Sequence, residues 1–168
     1  WRDYTIFRKS IPEIASVRVE VPENPAYSFE VRNNGTNRFT LTALQDNRAI
    51  ARYDTLKLLN FLSGFKSLGY EALLNDMNLA RKDSIIRSRP FVAIPLTDTA
   101  RAASTAKTFH KPGPPGRTDP EGNPLPYDLD RLYALVNDGR DFTLIQYYTF
   151  DKVLRPLHFF LAEGEPKH

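Results

Sequence analysis

The sequence predicts an α+β fold: an antiparallel β-sheet from two strand-rich halves, with one main helix and one short C-terminal helix packed on one face. Three observations predict it. Residues 15–43 hold three short segments in which apolar and polar side chains alternate, separated by turn residues. From Asp54 onward the apolar period lengthens to that of a helix. Asp138-Gly139 then sits between two apolar runs, a strong local hairpin signal.

The elements follow in order. Trp1, Tyr4, Ile6 and Phe7 make the first stretch too apolar for a free tail, so it is expected to pack on the domain or on an upstream part. In the first strand Ala15, Val17, Val19 and Val21 share the inward face, and Ser16, Arg18 and Glu20 the outward one. Pro22 to Pro25 make a turn, Tyr27, Phe29 and Val31 a second strand, and Asn33-Asn34-Gly35 a second turn. Phe39, Leu41 and Ala43 complete a meander with one wet face. Asp54 is the expected N-cap of the main helix, with Leu58, Leu62 and Phe65 as its stripe and an end near Gly69. Residues 70–76 read as a further helical turn or two, and 78–89 as helix or coil.

The second half opens with a strand at Phe91–Leu96, which Pro95 assigns to a sheet edge. Residues 102–110 suit its hairpin partner. Residues 111–127 hold six prolines and three glycines and read as a long, poorly ordered surface loop. Leu132–Val136 and Phe142–Tyr148 pair through Asp138-Gly139, the second of them as a central strand. Phe150, Val153, Leu154 and Leu157 mark the short C-terminal helix, and residues 163–168 a polar tail. One domain over 1–168 is expected, its halves 1–89 and 90–168 sharing a core.

Composition narrows the function classes. The chain carries 23 Lys and Arg against 20 Asp and Glu, a net charge of +3. Its densest basic run, from Arg81 to Arg89, is interrupted by Asp83, so no stripe suited to nucleic acid emerges. The absence of Cys excludes a thiolate metal site, a Cys nucleophile and a disulfide framework. No apolar run reaches the ~18 residues of a membrane span. The chain begins with Trp1 rather than Met, which predicts a piece of a longer protein.

Trp1-Arg2-Asp3 with Ile6-Phe7, Ile14 with Val17 and Val19, Tyr27-Ser28-Phe29, and Phe65 followed by Tyr70-Glu71 form an ordered series. Pro90-Phe91, Asp128 with Asp130-Arg131 and Tyr133-Ala134, Gln146, and Phe150-Asp151-Lys152 with Pro156 continue it. In that rhythm the chain resembles the C-terminal part of the uncharacterised Bacteroidetes envelope lipoprotein family, domain of unknown function 4340. The resemblance implies an extracytoplasmic protein, periplasmic or at the cell surface, that meets the membrane only through an anchor upstream of Trp1. It brings no catalytic residues. It also draws attention to Thr55, Ser84 and Thr99, each preceded by Asp and followed by an aliphatic or small residue, a pattern resembling the O-glycosylation acceptor of such envelope proteins.

The candidate chemistry is sparse. Asp128, Asp130 and Arg131 lie just before a strand, with Asp151 nearby in sequence and Gln146 taken as their neighbour in a small polar site. They make either a polar site or a cluster that caps a turn. Tyr127, Tyr133, Tyr147 and Tyr148 offer a stacking platform or core packing, with the 111–127 loop as a lid. Asp119-Pro120-Glu121-Gly122-Asn123 lacks the downstream bidentate Glu of a calcium loop and reads as a polar turn. His110 and His158 have no partner at metal-ligand spacing, and no nucleotide or cofactor motif is present. The reading is a non-enzymatic envelope module that binds or scaffolds a protein partner, with no metal, cofactor or nucleic acid. A small-ligand or glycan-binding domain is the alternative, and a hydrolase using Asp128, Asp130 or Asp151 comes last.

Overall fold

The computed structural model describes residues 3–162. Trp1 and the tail 163–168 lie outside the described residues. Nine strands form one antiparallel sheet in the order β5-β4-β3-β2-β8-β9-β10-β11-β7, and β1 and β6 form a separate pair. The strands are β1 (Thr5–Phe7), β2 (Ile14–Val19), β3 (Phe29–Asn33), β4 (Phe39–Ala43), β5 (Arg48–Ala49), β6 (Leu68–Gly69), β7 (Ala72–Leu73), β8 (Val92–Asp98), β9 (Ala103–Pro112), β10 (Tyr127–Val136) and β11 (Asp141–Gln146). The α-helices are α1 (Thr55–Ser63), α2 (Leu79–Arg87) and α3 (Tyr147–Phe150), with short 3-10 turns between elements.

The meander forms because its apolar side chains come into register. Val17 pairs with Val31 and with Leu96, and Val31 with Leu41, so four strands contribute to one apolar row. Their other face is wet, where Arg18 lies 3.8 Å from Glu30 and Arg32 lies 3.2 Å from Glu30. A bulge between Ile14 and Ser16 resets the pleat. Ile14 thereby joins Val17 and Val19 in the core, and Ala15, expected to face inward, is only half-buried. The turn after β3 is a five-residue loop in which Gly35, Thr36 and Asn37 all have positive φ.

α1 starts where expected. Asp54 accepts a hydrogen bond from the Lys57 amide at 3.1 Å, and Leu58, Phe61 and Leu62 are buried. Phe61 meets Phe29, Phe65 and Phe160 edge-on, which ties α1 to the sheet and to the turn Leu157–Phe160. Phe150 and Val153 join the same core, so α1 and the C-terminal helical turns share one face. α2 adds a layer on the opposite face. Its Ile85 and Ile86, with Leu74 and Met77, cover Phe109, Tyr133 and Phe142.

Three expectations are corrected. Residues 70–76 are not helical: Ala72 pairs with Leu144 and Leu73 with Thr143. β8 is not an edge strand, since it lies between β2 and β9. The ladder places Pro95 across from Arg18, between Val17↔Leu96 and Glu20↔Ala93. The sheet accommodates one missing N–H because pairing resumes on both sides of it. Finally, the second tyrosine-bearing strand stops at Gln146, and Tyr147 and Tyr148 begin α3.

Candidate functional site

The end of β11 organises the surface. Gln146 keeps extended backbone, and the chain then enters α3. Burial of Phe150 anchors that helix, and its short turn leaves Tyr148 90% exposed. Adjacent helical residues diverge by about 100°. Tyr147 accordingly turns the other way, is half-buried and packs against Phe91 with ring centres 6.3 Å apart. Its burial raises its pKa.

The predicted four-tyrosine platform does not form. Tyr133 is buried under α2, and its hydroxyl accepts a hydrogen bond from Arg81 at 3.3 Å. Tyr127 stacks on His110 at 4.0 Å, and His110 meets Phe91 at 4.3 Å. Tyr127, His110, Phe91 and Tyr147 thus make a continuous row of rings from which Tyr148 is separate. His110 Nδ1 is buried without a hydrogen-bond partner among the described residues, and burial lowers the His110 pKa.

The polar candidates hold one another. Asp128 Oδ1 accepts the amides of Asp130 at 2.8 Å and Arg131 at 3.1 Å, and Lys111 lies 3.6 Å from Oδ2. Burial pushes the Asp128 carboxyl up, but those amides and Lys111 together bring it below its ordinary value. Asp130 is exposed and pairs with Arg117 of the proline-rich loop at 3.3 Å. That loop has its own order: Asp119 Oδ1 accepts the amides of Glu121 at 3.0 Å and Asn123 at 2.9 Å. Asp151 pairs with Arg155 at 3.1 Å.

Arg131 finds a partner that sequence reasoning missed. Its guanidinium donates to both oxygens of Glu71, at 2.7 and 3.0 Å, and Gln146 Nε2 donates to the same carboxylate at 3.1 Å. The Arg131 hydrogen bond holds Glu71 below the usual carboxylate range, and Glu71 raises Arg131 in turn. The sequence pattern assigns Glu71 to a helical turn. Sixty positions separate it from Arg131, and no local pattern signals such a pair.

Three adjoining depressions surround this network. Leu129, Arg131 and Gln146 line one of about 350 Å³, which Tyr148 borders. A second, about 250 Å³, lies between Glu71, Gln146 and Thr149. The third and largest, about 880 Å³, shares Tyr148 and Thr149 and extends to Arg8, Lys66 and Lys152. Tyr148 therefore stands between the two larger ones. Only Tyr148 and Asp151 of the third were singled out from the sequence, because its lining comes from three distant segments.

Thr55, Ser84 and Thr99 are all exposed, at the first turn of α1, within α2 and in the β8–β9 turn respectively. His158 packs edge-on against Tyr27 at 5.1 Å. Among the described residues no group of three or more His, Cys, Asp or Glu side chains is placed to hold a metal, and no helix is long and apolar enough to cross a membrane. Comparison with protein-family models, curated proteins and solved structures finds no match to this chain. The envelope lipoprotein resemblance accordingly rests on the residues quoted for it.

Proposed function

We propose that the chain is a non-enzymatic module of the cell envelope that binds a protein partner through the surface around Tyr148. The observation that carries this reading is the 90% exposure of that tyrosine at the meeting of two clefts. A large aromatic side chain held in water by a helix with a buried anchor is a typical interface hot spot. The carboxylates considered for acid–base work support it too, since Asp128 caps backbone, Asp130 pairs with Arg117 and Asp151 pairs with Arg155. The envelope setting is supported by the sequence resemblance.

The test is site-specific photo-cross-linking in native cells, with a benzophenone side chain at position 148. Positions 56 and 79, exposed on α1 and α2, serve as controls. A discrete protein adduct from position 148 alone is expected, and adducts of equal yield from all three positions overturn the reading. Tyr148→Ala should lose the partner while melting at the wild-type temperature.

A second reading, glycan binding, is favoured by the smaller cleft. There a guanidinium, a carboxamide and a carboxylate lie beside an aromatic ring, groups that pair with sugar hydroxyls. A thermal-shift screen with neutral oligosaccharides tests it. A ligand at 100 times its Kd stabilises the fold by ~2.7 kcal/mol, and melting temperatures unchanged across the screen exclude it.

A further inference from the structure

We infer that the largest depression receives an acidic polypeptide segment of the partner, held by Arg8, Lys66 and Lys152. The inference rests on the protein-binding reading above and names the chemistry of what is bound.

Charge supplies the first support. Lys66 and Lys152 line the depression and make no side-chain hydrogen bond or ion pair with another described residue. Arg8 lines it as well, and among the described residues it forms an ion pair with Asp3 at 3.6 Å. Two carboxylates share the lining, but both are already engaged. Glu13 Oε1 accepts from the Ser10 amide at 3.0 Å and the Ser10 hydroxyl at 2.7 Å, while Asp151 holds Arg155 at 3.1 Å. Arg8, Lys66 and Lys152 set against Glu13 and Asp151 leave the lining with one net positive charge, and complementary charge selects and steers an acidic partner.

Size and continuity supply the second. A water molecule takes up ~30 Å³ of liquid, so a space of about 880 Å³ exceeds what one inorganic anion fills and suits several residues of chain. The depression is contiguous at Tyr148 and Thr149 with the two smaller ones. An extended segment laid along it meets the cations at one end and the exposed ring at the other. The Ser67 hydroxyl, which also lines the depression and has no side-chain partner among the described residues, is placed to donate to a bound carboxylate or carbonyl.

The experiment is fluorescence anisotropy at an ionic strength of about 0.15 M, where the screening length is about 8 Å, with a labelled decapeptide of alternating glutamate and glycine. The lysine–glycine counterpart and an oligogalacturonate of equal carboxylate number are run beside it. The wild type should bind the glutamate peptide, and Lys66→Glu with Lys152→Glu should weaken it roughly tenfold or more. Arg38→Glu with Lys107→Glu, the same charge change on exposed residues elsewhere, should leave it within about twofold, since separated surface charges are screened. Thermal melts of both variants check that they fold. Equal weakening in the two variants reduces the binding to net charge and overturns the inference. Preference for oligogalacturonate overturns it in favour of an acidic glycan. Cross-linking from position 148 that survives Lys66→Glu with Lys152→Glu sinks the acidic segment but leaves the protein-binding reading standing. An absence of that cross-link in the wild type sinks the protein-binding reading itself.

Discussion

Phe61→Ala removes the side chain that joins α1 to the sheet and to the turn Leu157–Phe160. Phe61 is 1% exposed and meets three other rings, with centres 5.3, 5.4 and 5.4 Å away. Truncating a buried Phe costs about 3–5 kcal/mol when the surroundings close only partly on the void. Edge-on ring pairs add ~0.5–1.5 kcal/mol each beyond area burial, and the Phe29, Phe65 and Phe160 pairs are all lost together. The rings are held by three different elements, so collapse around the void requires them to move in concert. A loss of about 4–5 kcal/mol is expected, near the upper end of the range. For a chain of this size ~1 kcal/mol corresponds to roughly 2–4 °C in melting temperature, so a drop of roughly 8–20 °C follows. Urea unfolding followed by fluorescence measures it through the midpoint at constant slope. Leu56→Ala, on the same helix but 79% exposed, should stay within ~0.5 kcal/mol of wild type. A Phe61→Ala loss below ~1.5 kcal/mol would refute the claim that this ring is the junction of the core.

Asp98 is held below its ordinary 3.8 first by the Lys9 hydrogen bond, and Glu13 below 4.5 first by the Ser10 hydroxyl. A carboxylate depressed in the fold contributes stability in full above its unfolded value and loses it as pH falls through the folded one. The urea midpoint should therefore drop on acidification from about pH 5, less steeply in Asp98→Asn, and an unchanged midpoint at pH 3 would contradict this. Burial holds His110 below its ordinary 6.5, so the unfolded chain takes the proton first and stability falls as pH drops below that value. His110→Phe, which keeps a ring between Phe91 and Tyr127, should remove that part of the pH dependence, and an identical profile in the variant would count against it. A Cβ on Gly113 would clash with the Leu125 carbonyl oxygen. Gly113→Ala should therefore open the neck of the proline-rich loop, seen as faster proteolysis within 113–126 with a smaller change in global melting. A cleavage rate equal to wild type would show that the neck is not tight.

The parts of this fold that sequence makes legible are those whose signal is local. Val17, Val19, Phe29, Val31, Leu41 and Ala43 alternate over enough residues to declare strands, and Asp54 with Leu58 and Leu62 declares a capped helix. Ala72–Leu73 is too short to show a period, and its partners Thr143 and Leu144 lie in the other half. Pro95 misleads because its cost is one hydrogen bond, smaller than what Ile94 and Leu96 gain by burial in a central strand. Tyr147 and Tyr148 extend the alternation of β11 by two positions, yet burial of Phe150 turns them into a helix. At the site, Arg131 and Gln146 were identifiable as polar residues near one another, whereas Glu71 was not. The Arg8–Lys66–Lys152 depression is a property of three segments meeting, which no single stretch encodes.

The outermost strands of the large sheet, β5 and β7, are two residues long, and both come from the first half of the chain. Short edges offer little template for another molecule's strand, which guards the finished protein against edge-to-edge association. The same arrangement makes the two halves mutually dependent. The first half clasps the sheet at both ends, while four of the long strands between belong to the second. A break between residues 89 and 90 would strip β8 from Val17 and β7 from Thr143, so neither piece would own a closed sheet. A nascent chain passes through that open condition. Until β8 emerges, the β2 edge whose Glu20 backbone pairs with Ala93 waits unpaired, and protection from neighbouring chains has to come from chaperones or from speed.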